Sequence, residues 1–276
     1  MRIAIASIVA SAIGVVGCTS GDSGDLDEES DLAPNTADSP GPDWTMVGYG
    51  VAYQQVNTGG AIVIAYGGYS AKLSYSAAWA TELVDAKLGG VGVGKIYAVQ
   101  GPRDAGYAAK EIGNSKLRRH LPTIDDGTSP IYVVAHSSGS YVAHELLGQM
   151  ARAGETALGR IGYADLDGGG SGLTAAIVDD LRAVTFVYAR DPTLSSGYSE
   201  NASTAMELAD DYAPQAHGYE VSVPSTGCLN GRGWCLHDVL ITHRPHNHTT
   251  YDLADDYTDF DGRAPTIEYL DTLIPD

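Results

Sequence analysis

Ten residues constrain this chain more than any others. They are Ile131-Tyr132-Val133-Val134-Ala135-His136-Ser137-Ser138-Gly139-Ser140, an apolar, β-branched run that stops in small residues and passes directly into Tyr141-Val142-Ala143-His144-Glu145-Leu146-Leu147. The first stretch reads as a buried strand and the second as an amphipathic helix. A chain that goes from strand to helix with no linker turns at a strained φ/ψ, and its strand and helix nearly touch, so small residues are needed on both sides of the tip. Ala135 and Gly139 supply them. Ser137 is then held at the tip, its hydroxyl at the carboxyl edge of the sheet, near a helix N-terminus that favours developing negative charge. The pattern is small-x-Ser-x-Gly, with Ala135 where a first Gly is usual. A helix cap drawn from Ser137, Ser138 and Ser140 is the competing reading.

The rest of the chain repeats the same alternation. Trp44 to Val56 has β-type residues and Asn57-Thr58-Gly59-Gly60 offers a turn before Ala61-Ile62-Val63-Ile64-Ala65, a continuous apolar run of the kind buried in a parallel sheet. Tyr66-Gly67-Gly68-Tyr69-Ser70 follows as a glycine loop, and Ser76 to Leu88 has helical spacing. Lys95 to Val99 reads as the next strand and Ala108 to His120 as its helix. After the Ser137 unit, whose helix runs to about Ala151, come a strand at Arg160–Leu166, a helix at Leu173–Arg182, a strand at Val184–Ala189, a short helix at Asn201–Ala209 and a last strand at Tyr219–Val223. Units of this length predict an α/β fold: a mainly parallel central sheet with helices on both faces and functional loops at the strands' carboxyl ends.

The first residues have a different character. Arg2, an apolar stretch from Ile3 to Val16 and Gly17-Cys18 predict an export signal over 1–17, too short to span a bilayer comfortably. Val15-Val16-Gly17-Cys18 is similar to a bacterial lipobox, which makes Cys18 the expected lipidation site and an N-terminal lipid anchor the expected membrane link; an ordinary signal cut nearby is the alternative. Residues 18–43 hold eight acids and no base, a composition that predicts a disordered tether. Residues 44–276 keep 27 acidic against 15 basic side chains, which argues against nucleic acid as a partner. They are enough for one sizeable core. With Cys18 assigned to lipid, Cys228 and Cys235 are left, and in an exported chain they most simply pair.

Taken in element order, residues 44 to 270 resemble the α/β-hydrolase superfamily. There the nucleophile follows the fifth strand, the acid a later strand, and the histidine comes last. The resemblance implies a serine esterase or lipase that works through an acyl-enzyme without cofactor or metal, on a small ester or lipid. Ser137 is the expected nucleophile. Cys228 and Cys235 followed by Pro245-His246 resemble the Cys-x6-Cys and Pro-His arrangement of cutinases, which makes His246 the first choice for the base and His237 the second. The cutinase acid is missing, because Leu229 to Trp234 contains no carboxylate. Asp191, which ends the strand at Ala189, is then the first choice, and Asp167, one strand earlier where pancreatic-type lipases carry theirs, the second. Tyr66-Gly67-Gly68 resembles the His-Gly-x loop of lipases and implies oxyanion donors from the N–H groups of Gly68 and Ser138. A metal cluster of His243, His246 and His248, and a calcium loop at Asp255–Gly262, lack the completing ligands or spacing. A non-catalytic surface protein on the same fold, or an exported peptidase, remain the alternatives. Oligomeric state is not legible.

Overall fold

The computed structural model describes residues 39–69, 71–85, 87–88, 91–102, 108–222, 236–237 and 240–241. Cys18, Cys228, Cys235, His243, His246, His248 and the acidic run at 255–262 lie outside the described residues.

Eight main strands follow one another among the described residues: β1 (Thr45–Gly48), β2 (Val51–Gln55), β3 (Ala61–Tyr66), β4 (Val91–Val99), β5 (Ile131–His136), β6 (Ile161–Leu166), β7 (Ala183–Arg190) and β8 (Ala216–Ser222). Lys87–Leu88 adds a two-residue antiparallel partner at the start of β4. In space the order is β1-β2-β4-β3-β5-β6-β7-β8. The first two strands are antiparallel to their neighbours, and from β4 to β8 every pair is parallel. This is a mainly parallel α/β sheet, as the alternation of elements predicts, with β5 near the centre.

Among the described residues, five α-helices accompany the sheet: α1 (Leu73–Glu82), α2 (Ala108–Ile124), α3 (Gly139–Arg152), α4 (Ala175–Asp180) and α5 (Ala202–Asp211). The strands sort their side chains with period two. On β3, Ala61, Val63 and Ala65 join the core beneath α1, with Leu73, Ala77, Trp79 and Ala80. Ile62, Ile64 and Tyr66 join the opposite core, with Leu117 of α2, Leu146 and Leu147 of α3, Ile177 of α4 and Ala205 of α5. All six residues of β3, of β5 and of β6 are buried, as strands covered on both faces must be.

Element boundaries depart from expectation where glycine is involved. β4 begins at Val91, four residues before the predicted Lys95, because Gly92 and Gly94 are inside the strand. Any side chain on Gly94 would place its Cβ 2.3 Å from the Gly59 carbonyl oxygen, so this edge is built on close backbone approach. Helix α1 stops at Glu82, since Lys87–Leu88 turns back as strand and not as a continued helix.

Candidate active site

β5 delivers Ser137 to the tip of the predicted turn, at φ 54°. Its N–H donates to the Leu166 carbonyl (3.0 Å), and its own carbonyl accepts from Ser140 N–H (3.0 Å), which starts α3. A Cβ on Gly139 would fall 2.4 Å from the Gly67 carbonyl oxygen, so only glycine lets α3 pass this close to the loop after β3. The capping alternative does not describe the serines here. Ser138 precedes α3 and makes no side-chain cap, and Ser140 Oγ accepts the Gly169 N–H instead (3.0 Å). Ser137 is half-buried, between the sheet and the surface.

The loop after β3 is wedged against that tip. Gly67 N–H donates to the Val99 carbonyl (3.0 Å) and Ala71 N–H to the Gly68 carbonyl (3.0 Å). A Cβ on Gly68 would lie 3.2 Å from Ser137 Cβ and 3.0 Å from His136 Nδ1, so the Gly68 backbone borders Ser137 directly. From behind, Tyr66 donates to Asn114 Oδ1 (3.0 Å) and Asn114 Nδ2 donates to the Val142 carbonyl of α3 (2.8 Å). These bonds tie the end of β3 to the elbow helix through groups with no exposure, where unmade bonds would cost about 1–3 kcal/mol each.

β6 runs parallel to β5, and the last registered pair is His136 with Leu166. The next residue on β6 is Asp167, fully buried and at φ 51°. Its carboxylate accepts from Ser199 Oγ (2.6 Å), Asn201 N–H (3.1 Å) and His237 Nδ1 (2.5 Å). A carboxylate only accepts, so His237 carries its proton on Nδ1 and leaves Nε2 as the basic nitrogen. The His237 ring lies 4.4 Å from that of His136, the residue before Ser137. Leu236 beside it is buried in the α1-side core, which anchors this part of the chain.

Asp191 is placed differently. It ends β7 as expected, but its Oδ1 accepts from Thr193 N–H (2.9 Å) and Thr193 Oγ1 (2.7 Å), a turn of its own making. Its Oδ2 is buried and has no hydrogen-bond partner among the described residues. Ser199 and Asn201, which hold Asp167, carried no local sequence signal: Ser199 is an isolated loop serine and Asn201 reads only as a helix start.

A second buried polar cluster lies beside Asp167. Tyr163 OH donates to Asp165 Oδ2 (3.0 Å) and meets His144 Nε2 (2.8 Å), while Asp165 Oδ1 accepts from Gly168 N–H (2.8 Å). His144 Nδ1 donates to the Ser171 carbonyl (3.0 Å). Together with Ser140 these bonds stitch α3 and β6 to residues 168–171. Burial holds the Asp165 carboxyl above its usual range, against the lowering pull of His144 and Tyr163.

No family model and no curated protein matches the chain. Solved structures do. EstE5 soaked with p-nitrophenyl butyrate matches with a TM-score of 0.42 and 12% identity over 64% of this chain and 75% of that one. An esterase/lipase from an uncultured bacterium gives 0.41 and 13% over 65% and 75%. An alpha-beta serine hydrolase homologue from Coxiella burnetii gives 0.40 and 11% over 65% and 85%. The chain is thus similar to esterase/lipase and serine-hydrolase structures at low sequence identity.

Proposed function

We propose that this protein is a serine hydrolase that cleaves carboxylic esters through an acyl-enzyme, with Ser137 as nucleophile, His237 as base and Asp167 as the orienting acid. The observation that carries the reading is the bond from His237 Nδ1 to Asp167 Oδ2, made beside the left-handed Ser137 tip. It favours His237 over His246 and Asp167 over Asp191.

Serine is a weak nucleophile until a base takes its proton, so Ser137 Oγ attacks the ester carbonyl carbon as His237 Nε2 accepts that proton. Asp167 keeps the imidazole in the required tautomer and stabilises the imidazolium. The carbonyl oxygen becomes an oxyanion, and the N–H groups of Gly68 and Ser138 are the donors assigned to it, each worth roughly 3–4 kcal/mol when preorganised. Collapse breaks the carbon–oxygen bond of the leaving alcohol, which takes the proton from His237. Water, activated by the same histidine, then hydrolyses the Ser137 ester and restores the enzyme.

The same reading makes the protein exported and tethered through lipid on Cys18, which rests on the sequence of the first 43 residues. No helix among the described residues is long and apolar enough to cross a membrane.

The test is labelling of the purified protein with a fluorophosphonate, beside Ser137→Ala and Ser138→Ala, followed by turnover on p-nitrophenyl esters of short and long acyl chains. Labelling and ester turnover that vanish in Ser137→Ala alone support the proposal. Labelling that survives there, or no labelling of the wild type, overturns it.

A further inference from the structure

His136 does more than complete a strand. It is 3% exposed, sits one residue before the nucleophile, and touches the other two parts of the site. Its Nε2 lies 3.0 Å from the backbone carbonyl oxygen of His237. A carbonyl can only accept, so that nitrogen carries the hydrogen and the neutral ring is the Nε2–H tautomer. The two imidazole rings lie 4.4 Å apart at 38°. On the other side, Nδ1 stands 3.0 Å from where a Cβ on Gly68 would be.

From this geometry we infer that His136 is a positioning residue that sets the base at a fixed place relative to Ser137. The inference rests on the reading of Ser137, His237 and Asp167 given above. Asp167 fixes one atom of His237, its Nδ1, and a single hydrogen bond leaves the ring free to pivot. The His136 bond holds the backbone of the same residue and the tilted ring contact limits its pivot, adding two restraints to that of Asp167. Because His136 and Ser137 are consecutive, the restraint is expressed in the nucleophile's own frame. Phenylalanine is somewhat larger but would keep an aromatic ring against His237, and would leave the buried His237 carbonyl without this donor. Glutamine would keep an N–H donor and lose the aromatic face.

The experiment compares His136→Phe and His136→Gln with wild type in ester turnover, fluorophosphonate labelling rate and thermal unfolding. Misplacing a reacting group by about 1 Å costs up to about 100-fold in rate. His136→Phe is expected to lower kcat roughly 10- to 100-fold, and the labelling rate in parallel, with KM little changed. His136→Gln is expected to recover most of that loss. Wild-type kcat in His136→Phe, a loss confined to KM, or His136→Gln as slow as His136→Phe in folded protein would each overturn the inference. A measurement on the wild type stands apart from variant folding: in the spectrum of ¹⁵N-histidine-labelled protein, His136 is expected as the Nε2–H tautomer, and an Nδ1–H tautomer overturns it. Wild type that neither labels nor turns over esters removes the functional reading, while the tautomer still judges the contact itself.

Discussion

Ser137 and Asp167 stand side by side at the carboxyl ends of β5 and β6, each one residue beyond the registered pair His136–Leu166. They are the two non-glycine residues with positive φ among the described residues, at 54° and 51°. Such a backbone costs about 1–3 kcal/mol at a non-glycine residue and persists only where the surroundings over-determine it. Here they do. The Ser137 N–H is bonded to Leu166 and the Asp167 N–H to Val187 (2.7 Å), so each turn is fastened to the neighbouring strand.

The nucleophile assignment predicts that Ser137→Ala loses turnover by a factor of roughly 10⁴ or more while unfolding within a few degrees of wild type. Steady-state kinetics and a thermal melt on the same preparation check both halves.

The acid assignment separates two aspartates. Asp167→Asn replaces an acceptor with a group that can force the wrong imidazole tautomer, and a drop in kcat of roughly 10³–10⁴ is expected. Asp191→Ala should keep wild-type turnover and lose about 1 kcal/mol of stability with the two Thr193 bonds. Parallel kinetics and urea unfolding of the two variants decide between them, and His237→Gln against His246→Gln does the same for the base.

Gly139→Ala forces a Cβ to 2.4 Å from the Gly67 carbonyl and 2.9 Å from that of Tyr66, both backbone atoms on the oxyanion side. A loss of about 1–3 kcal/mol is expected, with reduced turnover, because the helix must move off the loop. Gly159→Ala has nothing within 4 Å of its Cβ and serves as the neutral control in the same denaturation series.

Asp165 provides a pH signature. Its folded carboxyl is raised above the ordinary 3.8 by burial. Raised folded affinity for a proton means that the native state binds more protons than the unfolded chain between the two values, so stability falls as pH rises through that window. Wild type should therefore lose stability relative to Asp165→Asn as pH climbs from about 3.8, the unfolded value. Urea midpoints of the two proteins at a series of pH values between 3.5 and 7, a range of roughly three pH units around carboxylate titration, give the sign directly.

The elbow was legible because every requirement on it is local: a β-branched run, Ala135, Ser137 and Gly139 in sequence, then helical spacing. The parallel sheet followed from apolar runs without alternation, such as Ile62 to Ala65. The choice between the two candidate acids was not legible in the same way. Asp167 and Asp191 both end buried apolar strands, and both have the side chain that suits a turn. What separates them is tertiary: Ser199 and Asn201 come from after β7 to meet Asp167, while the bonds of Asp191 Oδ1 are to its own neighbour Thr193. For the base, the Cys-x6-Cys and Pro-His interval points to His246, which lies outside the described residues, whereas the bond of His237 to Asp167 is tertiary and leaves no mark in the sequence. His136 gave no signal of its own, since a histidine before the tip is compatible with any strand end.

The shared register of β5 and β6 has a bearing on how this protein can vary. Ser137 and Asp167, the proposed nucleophile and acid, follow adjoining strands spaced about 4.8 Å apart, so their separation is inherited from the sheet and owes nothing to the length of any connection. The link from α3 to β6, residues 153–160, leaves from the opposite rim. Insertions or fused sequences there lengthen the molecule without passing near the reacting groups, which makes that rim the place where a tag, a linker or a new binding surface can be added while the chemistry stays as it is.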